Sequence, residues 1–263
     1  METRADGQGH RRLALRQVID ITSGEIRAGG DRYFNRPARG LTEGPSQKGG
    51  PPARPDPPHG HTRRMDTLRK GIGIFIFDDV EELDWVGPWE VLRAWQLAHP
   101  DDGANVFTVA REPGTVTCAK GMRVLPDHSW ASAPSIDVLI YPGGRGTRPQ
   151  VGDEEIRGWV GSLAGNGALM TSVCTGSLVY ADAGLLDGGP ATTHWGALDL
   201  LKELGSGIEV RPDERFVDRG QVITAAGVSA GIDMALHLVA RLQSVERARQ
   251  IKRYIQYDPQ PPV

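Results

Sequence analysis

The sequence predicts an α/β fold, a three-layer sandwich around a mostly parallel central sheet. Three observations carry this. Ile72-Gly-Ile-Phe-Ile-Phe77 and Asp137-Val-Leu-Ile-Tyr141 are continuous apolar runs, the pattern of strands buried on both faces. Stretches with helical periodicity separate such runs, and strands alternating with helices build parallel sheets. The run Leu169-Met-Thr-Ser-Val173 breaks at Cys174 and restarts at once as a helix, a corner of the kind that holds a nucleophile at the top of a sheet.

The elements follow in chain order from residue 68. Residues 1–67 read as a Gly-, Pro- and Arg-rich extension with too little apolar surface to offset ordering entropy, and are expected to be disordered. Met65, just before the first apolar run, is an alternative start, so the extension is expected to be dispensable. After the first strand, Gly87-Pro88 is read as opening a helix, because proline suits a first turn; Trp89, Val91, Leu92 and Trp95 are its apolar positions. Asn105–Ala110 is the second strand, and Thr115–Leu125 a hairpin-like excursion. The third strand ends in Pro142-Gly143-Gly144. A helix over Glu154–Leu163 leads to the cysteine strand and its helix. Then come the helix Ala197–Leu204, short strands near Ile208 and at Phe216–Asp218, and the strand Val222–Ala225. Helices over Ala230–Gln243 and Val245–Tyr257 close the chain.

Composition narrows the function. The chain has 263 residues, 39% hydrophobic and 24% charged, with a net charge of -3, which suits one ordinary domain plus an appendage. The charge is uneven: residues 1–64 hold 12 Lys+Arg against 7 Asp+Glu, so the body is acidic. That balance gives the body no case for nucleic-acid binding. No apolar run reaches the roughly 20 residues of a membrane helix, and no secretory signal is visible. Two cysteines, Cys118 and Cys174, are too few for a disulfide framework or a zinc cluster, so a cytoplasmic location is expected. No metal-ligand spacing, dinucleotide fingerprint or phosphate loop occurs, and no cofactor is expected.

Ligand sites in such folds lie beyond the carboxyl ends of the strands, where Cys174, Gly143-Gly144 and Asp84 all fall. A cysteine at a helix start points its sulfur at unpaired N–H groups, which favours a thiolate and a lowered thiol pKa. A buried structural cysteine is the competing reading. Asp84, flanked by Leu83 and Trp85, reads either as a helix cap or as a carboxyl whose pKa is raised by apolar neighbours so that it can donate a proton. Backbone N–H groups at Gly143-Gly144 and at Thr175 suit an anion hole, although Gly-Gly is also a simple turn. His194 is a candidate base for a Cys-His pair or a plain histidine. Cys118, with no elbow around it, is read as incidental.

Five ordered motifs then give a resemblance. Leu83-Asp-x-x-Gly-Pro-x-Glu-Val91, Tyr141-Pro-Gly-Gly144, Ser172-Val-Cys-Thr-Gly-Ser177, Ala191-Thr-Thr-His-Trp195 and Ala225-Ala-Gly-Val-Ser-Ala-Gly-Ile-Asp-Met-Ala-Leu236 resemble the PfpI/ThiJ superfamily of glutamine-amidotransferase-like proteins. Within it the chain looks most like the isonitrile hydratases, down to the ending Gln256-Tyr-Asp-Pro-Gln-Pro-Pro262. The similarity runs from about Lys70 to Val263. It implies a flavodoxin-like sandwich, a homodimer, a small-molecule substrate and no cofactor. It also implies a lyase reaction, hydration of an isonitrile to the N-substituted formamide through a thioimidate on Cys174. Cys174 matches the nucleophile and Asp84 the acid beside it, where many members carry Glu. Thr175 matches the hydratase pattern, and Gly144 and Thr175 would supply backbone donors. Two alternatives within the superfamily stay open: a non-catalytic or redox-sensing regulatory protein, and another hydrolase or glyoxalase activity. A related group joins this domain to a DNA-binding module, for which no room is expected after the last helix.

Overall fold

A computed structural model of the chain describes residues 70–260. The expected extension over residues 1–67 lies outside the described residues. Seven strands form one sheet: β1 (Lys70–Phe75), β2 (Ala104–Ala110), β5 (His128–Ser129), β6 (Val138–Tyr141), β7 (Leu169–Val173), β10 (Phe216–Asp218) and β11 (Val222–Ala225). Their order is β10-β11-β7-β6-β1-β2-β5, and every pair is parallel except β10–β11. The five central strands, numbered by appearance, therefore run 2-1-3-4-5, the flavodoxin-like order. Two small sheets stand apart: an antiparallel pair, β3 (Val116–Thr117) with β4 (Arg123–Val124), and a parallel pair, β8 (Pro190–Ala191) with β9 (Glu209–Val210).

Helices cover both faces. On one, α1 (Glu82–Ala98) packs against α5 (Ala230–Leu242), and α6 (Val245–Tyr254) packs on both. On the other lie α2 (Glu154–Gly165), α3 (Gly176–Asp182) and α4 (Leu198–Leu204). Two-sided cover explains the unbroken apolar runs: Ile72, Ile74, Leu139, Ile140 and Val173 are all 0% exposed. Each such burial contributes roughly 1.5–3 kcal/mol. Phe75 links the core to an aromatic cluster, its ring centroid 5.0 Å from both Tyr141 and Trp159. The buried phenols keep partners: Tyr141 donates to Gln150 Oε1 at 2.6 Å and Tyr180 to the Thr171 carbonyl at 2.9 Å.

The start of α1 differs from the sequence expectation. The helix begins at Glu82, so Pro88 is its seventh residue rather than its first turn. Proline there has no N–H to give the carbonyl of Asp84, so one rung of the helix ladder is lost beside the functional corner. The residue at the N-cap position is Glu81, whose side chain makes no cap bond, and Asp84 sits in the first turn. The expected cap role for Asp84 is thus corrected: its carboxyl turns inward instead.

Candidate active site

The strand order reverses between β1 and β6, which opens a crevice at the carboxyl ends of these strands. Asp84 follows β1, Gly143 follows β6, Cys174 ends β7, and Val228 follows β11. The topology alone brings these four distant stretches together.

Cys174 is the corner residue, with φ 56. A non-glycine residue in the left-handed region costs of order 1–3 kcal/mol and persists only when its surroundings hold it there. Here the Cys174 N–H donates to the carbonyls of Ala225 and Ala226 at 3.1 and 3.0 Å, and its own carbonyl accepts from Thr193 Oγ1 at 2.9 Å. Close backbone approach completes the clamp. A Cβ on Gly143 would lie 2.5 Å from the Thr175 nitrogen and 2.8 Å from Cys174 Cβ, and one on Gly176 would lie 2.1 Å from the Tyr141 carbonyl. Both positions require glycine for space, not for flexibility. Val228, also in the left-handed region at φ 50, directs its N–H at the Cys174 sulfur, as does Thr175. A β-branched residue in that region is an outlier that only a packed site sustains.

Asp84 is 0% exposed. Its Oδ2 accepts the Gly143 N–H at 2.8 Å, whereas Oδ1 is buried with no such partner. The carboxyl and the Cys174 side chain both adjoin Gly143, whose N–H holds Oδ2 and whose Cβ, if present, would lie 2.8 Å from Cys174 Cβ, and each shifts the other's pKa. Burial raises its pKa from 3.8 to about 7, the Gly143 bond opposes this, and the charge of Glu81 adds to it. The thiol is pushed up as well. Burial is the main cause and the Asp84 charge the second, with the Thr175 and Val228 N–H groups offsetting only part. The lowered thiol pKa expected from the helix start is therefore corrected. At only seven residues α3 brings a weak dipole, and desolvation outweighs it. Two buried acids side by side hold a proton between them through neutral pH. Carboxyl and thiol thus make one unit that carries both a nucleophile and the proton to follow it.

The remaining expected residues fall around this pair. Gly144, at φ 123, donates its N–H to Thr175 Oγ1 at 3.1 Å, so that donor is engaged and Val228 supplies the one the sequence reading had given to Gly144. Thr175 Oγ1 also meets Thr147 Oγ1 at 3.1 Å, tying the β6 loop to the corner. His194 lies against Gly227, where an added Cβ would be 2.5 Å from its ring, yet its Nδ1 accepts from the Gly196 N–H at 3.1 Å. It caps a short turn at the rim and makes no bond to Cys174, so the Cys-His pair does not form. Cys118 is 2% exposed on the β3–β4 hairpin, and burial pushes its thiol up. The hairpin docks through Ala119 N–H to the Val80 carbonyl at 2.9 Å and through a Lys120–Glu81 ion pair. Val228, Thr193 and Arg148 escaped the sequence reading. Val228, inside the Ala-Ala-Gly-Val-Ser motif, and Thr193, inside the Ala-Thr-Thr-His-Trp motif, carried a signal that could have marked them. Among the described residues no group of three or more His, Cys, Asp or Glu is placed to hold a metal ion. None of the helices among them is long and apolar enough to cross a membrane.

Comparison with known proteins agrees with this fold. The model of the DJ-1/PfpI family matches residues 70–241. The chain belongs to the DJ-1/PfpI family. It is 39% identical over 191 residues to isonitrile hydratase of Pseudomonas putida, a match that covers 73% of this chain and 80% of that protein. It is 34% identical over 169 residues to the HTH-type transcriptional regulator CdhR of Pseudomonas aeruginosa, covering 64% of this chain. There the match spans 49% of the regulator's length. Among solved structures, a ThiJ/PfpI family protein from Pseudomonas syringae superposes with a TM-score of 0.67 at 30% identity, covering 80% of this chain and 84% of that one. DJ-1beta of Drosophila melanogaster shares the fold, with a TM-score of 0.63 at 22% identity over 73% of this chain and 100% of that one.

Proposed function

We propose that this protein hydrates an isonitrile to the corresponding N-substituted formamide through a covalent intermediate on Cys174. The observation that carries the reading is a fully buried Asp84 carboxyl held by the Gly143 N–H beside Cys174, where burial raises both acids. The terminal carbon of R–N≡C accepts both a nucleophile and a proton, which is what this pair offers. Sulfur attacks that carbon while the shared proton is delivered to it, giving the thioimidate R–N=CH–S. Water then adds at the same carbon, Asp84 takes a proton from it, and the nitrogen is protonated. Collapse of the adduct passes its hydroxyl proton to the Asp84 carboxylate, which has by then given its first proton to the nitrogen; the C=O bond forms, the C–S bond breaks, and R–NH–CHO leaves with Cys174 as thiolate beside the protonated carboxyl. The sum is isonitrile plus water, with no electron transferred. Thr175 and Val228 N–H groups steady the sulfur whenever it is anionic. Splitting one addition into two steps is the benefit of covalent catalysis. The 39% identity to an isonitrile hydratase supports the same chemistry.

A second reading is favoured by the similarity to a transcriptional regulator: the pocket senses a small molecule and turns nothing over. One experiment separates the two. Incubation with cyclohexyl isocyanide is expected to yield N-cyclohexylformamide at a rate proportional to enzyme. No formamide from well-folded protein, with saturable binding of the isocyanide, would favour the sensor. No formamide with rapid consumption of methylglyoxal would point to a glyoxalase-type activity.

A further inference from the structure

Arg148 sits on the loop after β6, one hydrogen bond from the groups that hold Cys174. Its Nη1 donates to the Gly144 carbonyl and to Thr147 Oγ1, each at 3.2 Å. Both acceptors are neutral. The Gly144 carbonyl also accepts from Thr175 Oγ1 at 3.3 Å, which places the guanidinium beside the nucleophile corner. Four other arginines that anchor this fold end on carboxylates, Arg157 on Asp182, Arg215 on Asp233, Arg241 on Asp218 and Arg247 on Asp102, whereas Arg219 ends on the Leu186 and Asp187 carbonyls, away from the crevice. Half-buried Arg148 forms no ion pair among the described residues, and its Nε and Nη2 make no hydrogen bond there. A partly desolvated cation without a counter-ion is costly, and that cost is recovered when an anion arrives.

The obvious internal counter-ion is the Cys174–Asp84 pair, of which Arg148 feels the sulfur. That pair has donors of its own, however: Thr175 and Val228 N–H groups on the sulfur and the Gly143 N–H on the carboxyl. The other ionisable groups in its field are Arg145 and His194, neither of them an anion, while Glu81 is engaged by Lys120. The free edge of the guanidinium, Nε with Nη2, is the planar fork that matches a carboxylate with two parallel bonds.

We propose that Arg148 forms a carboxylate subsite beside Cys174, so that this site takes electrophiles bearing a carboxylate a few atoms from the reacting carbon. The isonitrile identity of that electrophile rests on the proposed function; the subsite does not. Under both together the substrate class is an isocyano-carboxylate.

The test uses a reagent pair that reports on the subsite without requiring hydration. Iodoacetate and iodoacetamide alkylate the same thiol and differ in one charge, and modification at Cys174 is followed by peptide mass spectrometry in the full chain. N-acetylcysteine supplies the reference ratio of the two rates. In the wild type the iodoacetate-to-iodoacetamide ratio should exceed that reference about tenfold, the scale of a charge-assisted bond. Arg148→Gln should bring it back to the reference while the iodoacetamide rate changes less than about threefold, and Arg148→Lys should keep part of the gain. A wild-type ratio at or below the reference overturns the proposal even if no variant folds. An Arg148→Gln protein that slows both reagents alike also overturns it, because Arg148 would then act on the thiol and not on the ligand. Turnover of isocyanoacetate against its methyl ester adds the substrate reading. Absence of turnover with an intact alkylation ratio would sink the hydratase and leave the subsite standing.

Discussion

Replacing Asp84 by Asn separates the charge of the site from its shape, because the amide oxygen can still accept the Gly143 N–H. In the wild type the folded chain keeps the Asp84 proton up to about 7, whereas the unfolded chain releases it near 3.8. Between those values the folded state binds the extra proton, so stability falls as pH rises through the window and the loss is complete above about 7. At about 1.36 kcal/mol per pH unit, the interval from 3.8 to about 7 amounts to about 4 kcal/mol. Asp84 has no exposed surface, so solvent screening does not reduce this. For a domain of this size 1 kcal/mol moves the melting temperature by about 2–4 °C, so the pH-dependent part is about 8–16 °C. The assay is thermal unfolding of wild type and Asp84→Asn from pH 4.5 to 8.5, read as the difference between the two curves so that other groups cancel. The variant should gain on the wild type steadily from pH 4.5 to about 7.5 and hold its advantage above. Parallel curves would refute the reasoning, since they would mean that Asp84 ionises as readily in the folded chain as in the unfolded one.

Three further outcomes follow from the same geometry. Asp84→Asn should lower isonitrile turnover by about 10²–10⁴, measured as formamide release at saturating substrate, because the positioned proton is gone. Cys118→Ser should leave turnover unchanged in that assay and lower the melting temperature, since a hydroxyl replaces a thiol that is 2% exposed and makes no bond to the Cys174 corner. Gly143→Ala should cost turnover about a hundredfold or more, because the new Cβ has to displace the Thr175 nitrogen, 2.5 Å away, and shift the sulfur with it. A crystal structure of an active Gly143→Ala protein with an unmoved corner would remove that argument.

The parts of the fold that bury apolar surface on two sides were legible in the sequence. β1 and β6 appear as apolar runs, β2 falls on the expected strand Asn105–Ala110, and the observed β11, Val222–Ala225, coincides with the expected span. The two-residue strands β5 and β8 had no periodicity to read, because their pairing is set by the strands beside them, β2 and β9, and not by their own residues. The start of α1 was misplaced because Gly87-Pro88 mimics a helix opening, and only packing tells a tolerated internal proline from a first-turn one. Asp84 and Cys174 were legible as chemistry, and the raised carboxyl pKa followed from its apolar neighbours. The direction of the thiol shift did not. A helix start argues for a lowered value, while burial and the facing carboxyl, both tertiary, argue for the opposite and prevail. Val228 and Arg148 lie 54 and 26 residues from Cys174, and their relation to it exists only once β6, β7 and β11 are aligned.

The central claim is that carbon of an isonitrile becomes bonded to Cys174 during turnover. Rapid acid quench of enzyme mixed with cyclohexyl isocyanide, followed by intact-mass measurement, tests it most directly. The expected result is a transient species heavier than the free protein by the mass of one isocyanide, mapped to Cys174 and absent in Cys174→Ala. Formamide produced at the wild-type rate by Cys174→Ala, with no adduct in either protein, would contradict the account.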